Sequence, residues 1–245
     1  MTSDVGEQLA EASLSGGRAD LETASSYRQV RFAAPKGATE LLLVRHGETI
    51  PADPESPFPL LDGHGDPELA PEGRQQAERL ADRLARIDRI DAVYVTNLRR
   101  TRETIEPFVS RTGIEVQVEA DLREVMLGEW EGGLYRKHVM TNHPLALEMY
   151  RTGRWDVIPG AESNEALAAR LRAGIERIAA AHPDERVIVV SHGGAIGMIL
   201  AIASGSRPFA FVGADNASIS GLVVVGEHWL VRSFNDVSHL SLPPG

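Results

Sequence analysis

The sequence predicts a three-layer α/β/α fold, in which a mainly parallel sheet lies between two layers of helices. Short apolar runs at 41–44, 92–95 and 187–190 have the length and composition of buried strands. Segments with apolar residues at helical spacing separate them, and this alternation favours parallel strands with helices on both faces. Hydrophobic residues make up 42% of the 245 residues, which is enough to fill the core of one domain.

The first half of the chain alternates three strands with two helices. Residues 41–44 form the first strand, and Pro71 suits the first turn of a helix. Residues 92–95 form a second strand, and alternating apolar residues at 114–118 indicate a third. The apolar faces of the two helices consist of Ala77, Leu80, Ala81, Leu84 and Ile87, and of Ile105, Phe108 and Val109.

The second half continues the alternation and closes with a hairpin. Ser163 suits the N-cap of a long amphipathic helix, and Gly226 with Glu227 suits a hairpin turn. In chain order, the predicted elements are a glycine-rich segment at 127–133, a helix near 144–151, the helix after Ser163, a strand at 187–190, a helix starting near Ala195, and hairpin strands at 218–225 and 228–234.

Two segments lie outside this pattern. Residues 1–38 are rich in Ser, Gly, Ala and acidic side chains, so we expect an appendage, either flexible or dimer-contacting, before a domain at 39–245. Residues 50–68 contain five prolines, which predicts a long loop without regular structure. Loops beside a strand end often carry function, and this loop follows the first strand.

Composition excludes several classes of partner. The formal net charge is −10, whereas nucleic acids and anionic membranes require a basic face, so neither is expected as a partner. The chain has 0 cysteines, which leaves no disulfide and no thiolate metal site. The first residues do not form a signal peptide, and no apolar stretch approaches the ~20 residues of a membrane span. A cytoplasmic location is the resulting expectation.

Two of the buried strands end in the same way. The first strand leads into Arg45, His46 and Gly47, and the last buried strand leads into His192 and Gly193. The carboxyl ends of parallel strands meet at one crevice, where ligands bind. We therefore expect the two imidazoles and the guanidinium to share a pocket. Either histidine alone would more simply be a capped loop residue.

Further blocks accompany these turns and carry a family resemblance. The segment RHGET at 45–49 resembles the signature of the histidine phosphatase superfamily, which includes the phosphoglycerate mutases. Other blocks match in order. They are LAPEG at 69–73, TNLRRTRET at 96–104, LRE at 122–124, GEWEG at 128–132, PGAES at 159–163, SHG at 191–193 and NDVSHL at 235–240. The resemblance implies a phosphoglycerate mutase-like fold for this domain.

The resemblance also implies three catalytic residues. It makes His46 the nucleophile that accepts a phosphoryl group, with one ring nitrogen bonded to a carbonyl and the other directed at phosphorus. It makes Glu124 the acid that protonates the leaving oxygen and then activates water. His192 is the third residue, and in its protonated form it would donate to the phosphate.

The resemblance places phosphate ligands beside the nucleophile. A phosphate monoester is a dianion, so its oxygens need positive charge before an imidazole can attack. Arg45 and Arg100 each offer a planar fork, and Gly47 and Gly193 would let backbone amides approach closely. The family pattern selects Arg100, whereas the neighbouring Arg99 has the features of a surface arginine. Since these groups replace a metal ion, we expect no metal and no cofactor.

Three functions are compatible with this set of residues. Hydrolysis is favoured over mutase-type phosphoryl transfer because the chain lacks the longer insertion and tail of cofactor-dependent mutases. Only Arg123, Arg136, Lys137 and Arg154 are available nearby for a second anion. A non-catalytic phospholigand-binding module would keep the arginines without needing the acid. The complete set of residues favours an enzyme.

The expected substrate is a small phosphorylated metabolite whose identity the sequence does not specify. The loop at 50–68 and the segment at 126–160 are predicted to enclose the leaving group, with Trp130 and Trp155 either at the mouth or packed in the core. The carboxyl-terminal hairpin and the amino-terminal appendage are candidate contacts of a homodimer.

The other histidines do not suggest a zinc site. None has a histidine partner at i, i+4, and we expect a structural hydrogen bond for His239. Surface positions are predicted for His64, His138, His143, His182 and His228.

Overall fold

A six-stranded sheet forms the centre of the computed structural model, which describes residues 29 and 31–241. Within the described residues, the strands are β1 (Thr39–Arg45), β2 (Leu60–Leu61), β3 (His64–Gly65), β4 (Ala92–Val95), β5 (Val116–Val118), β6 (Arg186–Ser191), β7 (Ile219–Val225) and β8 (His228–Asp236). β2 and β3 pair with each other, and the other six form the sheet in the order β5-β4-β6-β1-β7-β8.

Four neighbouring strands of this sheet are parallel. β4 pairs in parallel with both β5 and β6, and β6 pairs in parallel with β1. β7 is antiparallel to β1, and β8 is antiparallel to β7. The predicted parallel sheet and the predicted hairpin at its end are both confirmed.

Helices cover both faces of the sheet. Those of the described residues are α1 (Pro71–Leu84), α2 (Arg99–Thr112), α3 (Leu134–Met140), α4 (Pro144–Thr152), α5 (Asn164–Ala181) and α6 (Gly193–Ser204). Successive residues of β1 point to opposite faces of the sheet. Leu43 packs against α5 and α6 on one face, and Val44 packs against α1 and α2 on the other. The three-layer prediction is therefore correct. Burying each such leucine or valine stabilises the fold by about 1.5–3 kcal/mol.

The start of the long helix α5 follows the prediction from Ser163. The hydroxyl of Ser163 accepts a hydrogen bond from the Ala166 amide at 3.1 Å, as an N-cap does. None of the helices within 31–241 has both the length and the apolar character that crossing a bilayer requires.

Two elements differ from the prediction, and both border the cavity described below. The loop at 50–68 contains the β2–β3 hairpin, whose turn residues Asp62 and Gly63 have φ values of 49° and 83°. Positive φ at both positions is typical of a type I′ turn, for which Asp-Gly is a strong signal. The short helix α3 was also not predicted. No side chain caps its N-terminus, so the sequence lacks the usual start signal.

Most of the predicted appendage at 1–38 lies outside the described residues. The part that is described packs on the last two strands of the sheet. Ala38 is buried with Val223 and Val225, and the Arg232 guanidinium lies 3.7 Å from the centroid of the Phe32 ring.

A close contact between two glycines fixes the loop after β1 against the start of α1. A Cβ on Gly73 would lie 2.0 Å from the carbonyl oxygen of Glu48, and a Cβ on Gly47 would lie 2.7 Å from the carbonyl oxygen of Gly73. No side chain fits between these backbones. The contact therefore sets the position of the residue that precedes Gly47, which is His46.

Candidate active site

The ends of β1 and β6 bring the two predicted histidines together. Arg45 lies opposite Ser191 in the parallel register, so His46 and His192 leave the sheet side by side. Their ring centroids are 5.2 Å apart, and both residues are buried. They lie beside a cavity of about 280 Å³ whose walls include His46, Arg45, Arg100, Glu124 and Gly193.

The His46 ring is held as a neutral imidazole with a defined tautomer. Its Nδ1 lies 2.7 Å from the Gly47 carbonyl oxygen, and since a carbonyl only accepts, Nδ1 carries the proton. Nε2 therefore presents its lone pair. Burial, followed by the positive charges of Arg100 and Arg45, holds the pKa of His46 well below its usual value.

His192 is also neutral, which differs from its expected role as a protonated donor. Burial and the charge of Arg100 hold the pKa of His192 well below its ordinary value. Arg100 Nε donates to His192 Nδ1 at 3.2 Å, so the ring proton is on Nε2 and faces the Thr96 hydroxyl at 3.0 Å. In this state the neutral ring accepts a hydrogen bond from the Arg100 guanidinium and holds it in position.

The two predicted phosphate arginines enter the cavity from different strand ends. Arg45 donates from Nη1 to the Ala214 carbonyl oxygen, while its buried Nε has no hydrogen-bond partner among the described residues. Arg100 donates from Nη1 to the Gly65 carbonyl oxygen at 2.8 Å. Burial lowers the pKa of Arg100 to about 10, which leaves the guanidinium charged at neutral pH. An unsatisfied buried donor beside a second guanidinium forms a ready anion site.

Glu124 reaches the cavity with its carboxyl group held by backbone amides. Its Oε1 accepts from the amides of Val125 and Ala195, and its Oε2 accepts from the Gly194 amide, each at 3.0 Å. Two of these amides belong to the first turn of α6. A Cβ on Gly194 would lie 2.6 Å from Oε1, so only glycine admits the carboxylate here.

The two predicted glycines contribute in different ways. Gly193 lines the cavity, where a Cβ would lie 3.3 Å from Arg45 Nε. The Gly47 amide donates instead to the Thr104 hydroxyl at 2.9 Å, so it is not available to a phosphate. Gly47 acts on the site through its carbonyl, which holds the His46 ring.

Other residues of the cavity belong to the segments at 50–68 and 126–160, which were predicted to enclose the leaving group. His64 was expected at the surface, but it is buried in β3 and lines the cavity. Arg136 enters from α3. Aromatic side chains form part of the cavity wall. Trp130 and Trp155 are buried and also line the cavity, so both positions considered for them apply. The aromatic part of the wall consists of Phe58, Trp130, Tyr135, Tyr150 and Trp155.

The remaining predicted residues lie in other surroundings. Arg99 pairs with Glu103 and Glu68 at the surface, as expected. His239 is buried and contacts the Ala217 carbonyl oxygen at 3.1 Å, which matches its expected structural hydrogen bond. Within the described ranges, no group of three or more histidine and acidic side chains has an arrangement that would hold a metal ion.

An α/β/α fold with two histidines and two arginines at the carboxyl edge of its sheet defines a phosphoryl-transfer enzyme. The family model described as the histidine phosphatase superfamily (branch 1) matches residues 41–237. The chain belongs to this superfamily, and it is a phosphatase with a histidine nucleophile.

Two plant proteins are among the similar sequences. Phosphoglycerate mutase-like protein 4 of Arabidopsis thaliana is 36% identical over 207 residues, which cover 82% of this chain and 86% of that protein. The metal-independent phosphoserine phosphatase of Arabidopsis thaliana is 36% identical over 208 residues, which cover 83% of this chain and 84% of that protein.

Solved structures show the same fold. Mycobacterial glucosyl-3-phosphoglycerate phosphatase superposes with a TM-score of 0.67 at 29% identity, over 81% of this chain and 99% of that one. A phosphoglycerate mutase from Bacillus anthracis str. Sterne superposes with a TM-score of 0.71 over 84% of this chain and 96% of that one. The latter is 22% identical, and this likeness concerns the fold alone.

We expect acid to destabilise the fold through the two site histidines. In the unfolded chain each has a pKa of about 6.5, whereas in the fold the pKa of His46 and of His192 is well below that value. Below pH 6.5 the unfolded chain binds protons that the folded chain does not. The free energy of unfolding therefore decreases as the pH is lowered from about 6.5 to the pKa of the folded state. Each group contributes up to about 1.4 kcal/mol per pH unit.

Urea unfolding at pH 7.5 and pH 5.5 checks this expectation. His46→Gln should lose less unfolding free energy between the two pH values than the wild type, whereas the exposed His228→Gln should lose as much. An equal loss in His46→Gln and wild type would contradict the assignment of a neutral, buried imidazole.

Proposed function

We propose that this protein hydrolyses phosphate monoesters of small metabolites through a phosphohistidine at His46, without a metal ion. The observation that carries the proposal is the neutral His46 ring, whose Nδ1 is bound to a carbonyl and whose Nε2 lone pair is available beside two charged guanidinium groups. The names of two similar proteins, a metal-independent phosphoserine phosphatase and a glucosyl-3-phosphoglycerate phosphatase, support hydrolysis of this kind.

The first half-reaction transfers the phosphoryl group to the enzyme. Arg45 and Arg100 neutralise the phosphate oxygens, which lets the uncharged Nε2 of His46 approach the phosphorus. The N–P bond forms as the ester P–O bond breaks, and the bonding electron pair leaves with the ester oxygen. That oxygen takes a proton from Glu124.

Glu124 has one oxygen suited to carry this proton. Oε1 accepts two backbone hydrogen bonds, whereas Oε2 accepts one and keeps a lone pair. After the alcohol leaves, the same carboxylate takes a proton from water while the water oxygen attacks phosphorus. The P–N bond then breaks, its electron pair returns to Nε2, and inorganic phosphate is released. Atoms and charges balance without a cofactor.

His46→Ala should abolish phosphate release from p-nitrophenyl phosphate, with a loss on the order of 10³-fold or more, because the covalent intermediate cannot form. Colorimetric measurement of phosphate checks this, and His228→Ala, an exposed histidine on β8, is the matched control. A chelator should leave the wild-type rate unchanged. Turnover that survives in His46→Ala, or that depends on a metal ion, would refute the proposal.

We also propose that the leaving group carries a carboxylate, which Arg136 recognises. Of the four basic residues noted near the site, Arg123 pairs with Asp62 and Arg154 pairs with acidic neighbours, while Lys137 is exposed. Arg136 lines the cavity, and no carboxylate of the described residues forms an ion pair with it.

Neutral groups hold the Arg136 guanidinium in place. Nη1 donates to the Ile50 carbonyl oxygen at 2.9 Å, Nη2 donates to the Thr49 hydroxyl, and the guanidinium carbon lies 5.3 Å from the centroid of the Phe58 ring. Two of its five donors are used in these bonds, so three remain for a ligand. The free donors of this cation lie in the same cavity as an aromatic wall, where they can bind an anionic leaving group.

A matched pair of substrates tests Arg136. 3-Phosphoglycerate and glycerol 3-phosphate differ by a carboxylate in place of a hydroxymethyl group, and the wild type should favour the former in kcat/KM by about tenfold or more. Arg136→Gln should bring this ratio close to one, and the surface variant Arg154→Gln should not change it. An equal loss on both substrates would instead make Arg136 a ligand of the phosphate.

An incubation with 3-phosphoglycerate and a bisphosphate primer separates hydrolysis from mutase activity. We expect the enzyme to release free phosphate from 3-phosphoglycerate. Formation of the phosphoglycerate isomer without phosphate release would show that the enzyme is a mutase.

A further inference from the structure

Arg170 on α5 binds the backbone of the segment that carries Glu124. Its Nη1 donates to the carbonyl oxygens of Asp121 and Arg123 at 2.7 and 2.8 Å, and its Nη2 donates to the carbonyl oxygen of Glu124 itself at 2.8 Å. This segment follows the end of β5 and has no strand partner among the described residues, so its carbonyl groups need other donors. Arg170 supplies them.

Glu162 completes the arrangement around Arg170. Its Oε1 accepts from Arg170 Nε at 2.7 Å, and its Oε2 accepts from Arg170 Nη2 at 2.8 Å. All five donors of the guanidinium are therefore used, and both side chains are largely buried. The Glu162 carboxylate also accepts from the Met126 amide at 3.3 Å, while the Glu162 amide donates to the Met126 carbonyl oxygen at 2.9 Å. The turn after Glu124 is held by the same pair.

A second anchor ties this segment to the histidine strand. Ser191 directly precedes His192 in the chain, and its hydroxyl donates to the Leu122 carbonyl oxygen at 2.7 Å. Glu124 is thus held from the α5 side by Arg170 and from the sheet side by Ser191. Its carboxyl group lies on a short two-carbon stem, so a shift of this backbone moves the proton donor directly.

We propose that Arg170 is a positioning residue for the acid Glu124, an inference that rests on the proposed function. Arg170 is not among the residues that line the cavity, so it acts on the reaction through the backbone it holds. A displacement of about 1 Å in a catalytic group costs on the order of 100-fold in rate. The fork of an arginine matches several carbonyl oxygens at once, which a lysine does not do.

The dependence of rate on the leaving group tests this role. p-Nitrophenolate leaves without a proton, whereas the alkoxide of glycerol 3-phosphate needs one, and kcat/KM reports the step in which the ester bond breaks. Arg170→Lys should lower kcat/KM for glycerol 3-phosphate on the order of 10- to 100-fold and change the value for p-nitrophenyl phosphate less than about threefold. Glu162→Gln, which keeps the arginine, should give the same pattern as Arg170→Lys, with a smaller loss of kcat/KM for glycerol 3-phosphate.

Two further variants complete the design. Arg172→Lys, exposed on the same helix, should leave both substrates at the wild-type rate. Glu124→Gln should give the same leaving-group pattern as Arg170→Lys, only stronger. Denaturant unfolding of each variant establishes that it is folded under the assay conditions.

The possible outcomes are distinguishable. If Glu124→Gln shows the leaving-group pattern and Arg170→Lys does not, the positioning role is wrong while the proposed function stands. If Arg170→Lys lowers both substrates equally, the residue acts on the fold or through its charge, which lysine retains in part, and the inference also fails. If Glu124→Gln affects both substrates equally, the acid is another group, and both the assignment of Glu124 and the inference are overturned.

Discussion

The parallel pairing of β1 with β6 sets the positions of the two site histidines and of one anchor of the Glu124 segment. Arg45 lies opposite Ser191, and both strands are buried on both faces of the sheet. A slip of one residue would turn Leu43 and Val44 toward the wrong layers, so the apolar core on each face enforces the register. The register then places the nucleophile, the second histidine and the Ser191 hydroxyl that holds the acid segment.

Positive charge in the cavity has two consequences for the chemistry. In the proposed mechanism Arg45 and Arg100 bind the phosphate oxygens, and the same charges oppose protonation of His46. A protonated imidazole has no lone pair with which to attack phosphorus, so the groups that attract the substrate also keep the nucleophile active. The rest of the protein is acidic, with a net charge of −10. Anion binding therefore depends on the local concentration of arginines in this cavity.

Sequence reasoning predicted positions correctly where a residue directly follows a strand end. The apolar runs define the strands, and His46 and His192 come next in the chain, so the parallel sheet alone brings them together. The segments at 50–68 and 126–160 were predicted to enclose the leaving group, but the elements β2–β3 and α3 within them were not predicted. Their side chains, His64 and Arg136, reach the cavity only because distant loops pack over it, and neither element has apolar periodicity that would indicate its position. The Asp-Gly turn was the one local signal for the hairpin.

Hydrogen bonding also decided roles that residue types left open. Glycine next to the nucleophile suggested an amide for the phosphate, yet the Thr104 hydroxyl takes the Gly47 amide, and the carbonyl on the other side of the residue orients the ring. The partner of the Gly47 amide is set by α2, which places Thr104 beside Gly47 although the two residues are 57 positions apart in the sequence. Local sequence contains no information about that contact.

The N-terminus of α6 shows how one helix end serves the acid instead of the substrate. Its first amides are a natural site for a phosphate, but Gly194 and Ala195 donate to the Glu124 carboxylate. In the proposed mechanism the phosphate charge is then balanced by guanidinium groups, which carry a full charge and come from the ends of two different strands. The helix amides, in turn, bind the carboxylate through fixed backbone. In the proposed mechanism they hold it in one place after it has lost its proton to the leaving group. That is the state in which it must accept a proton from water, so one fixed position serves both half-reactions.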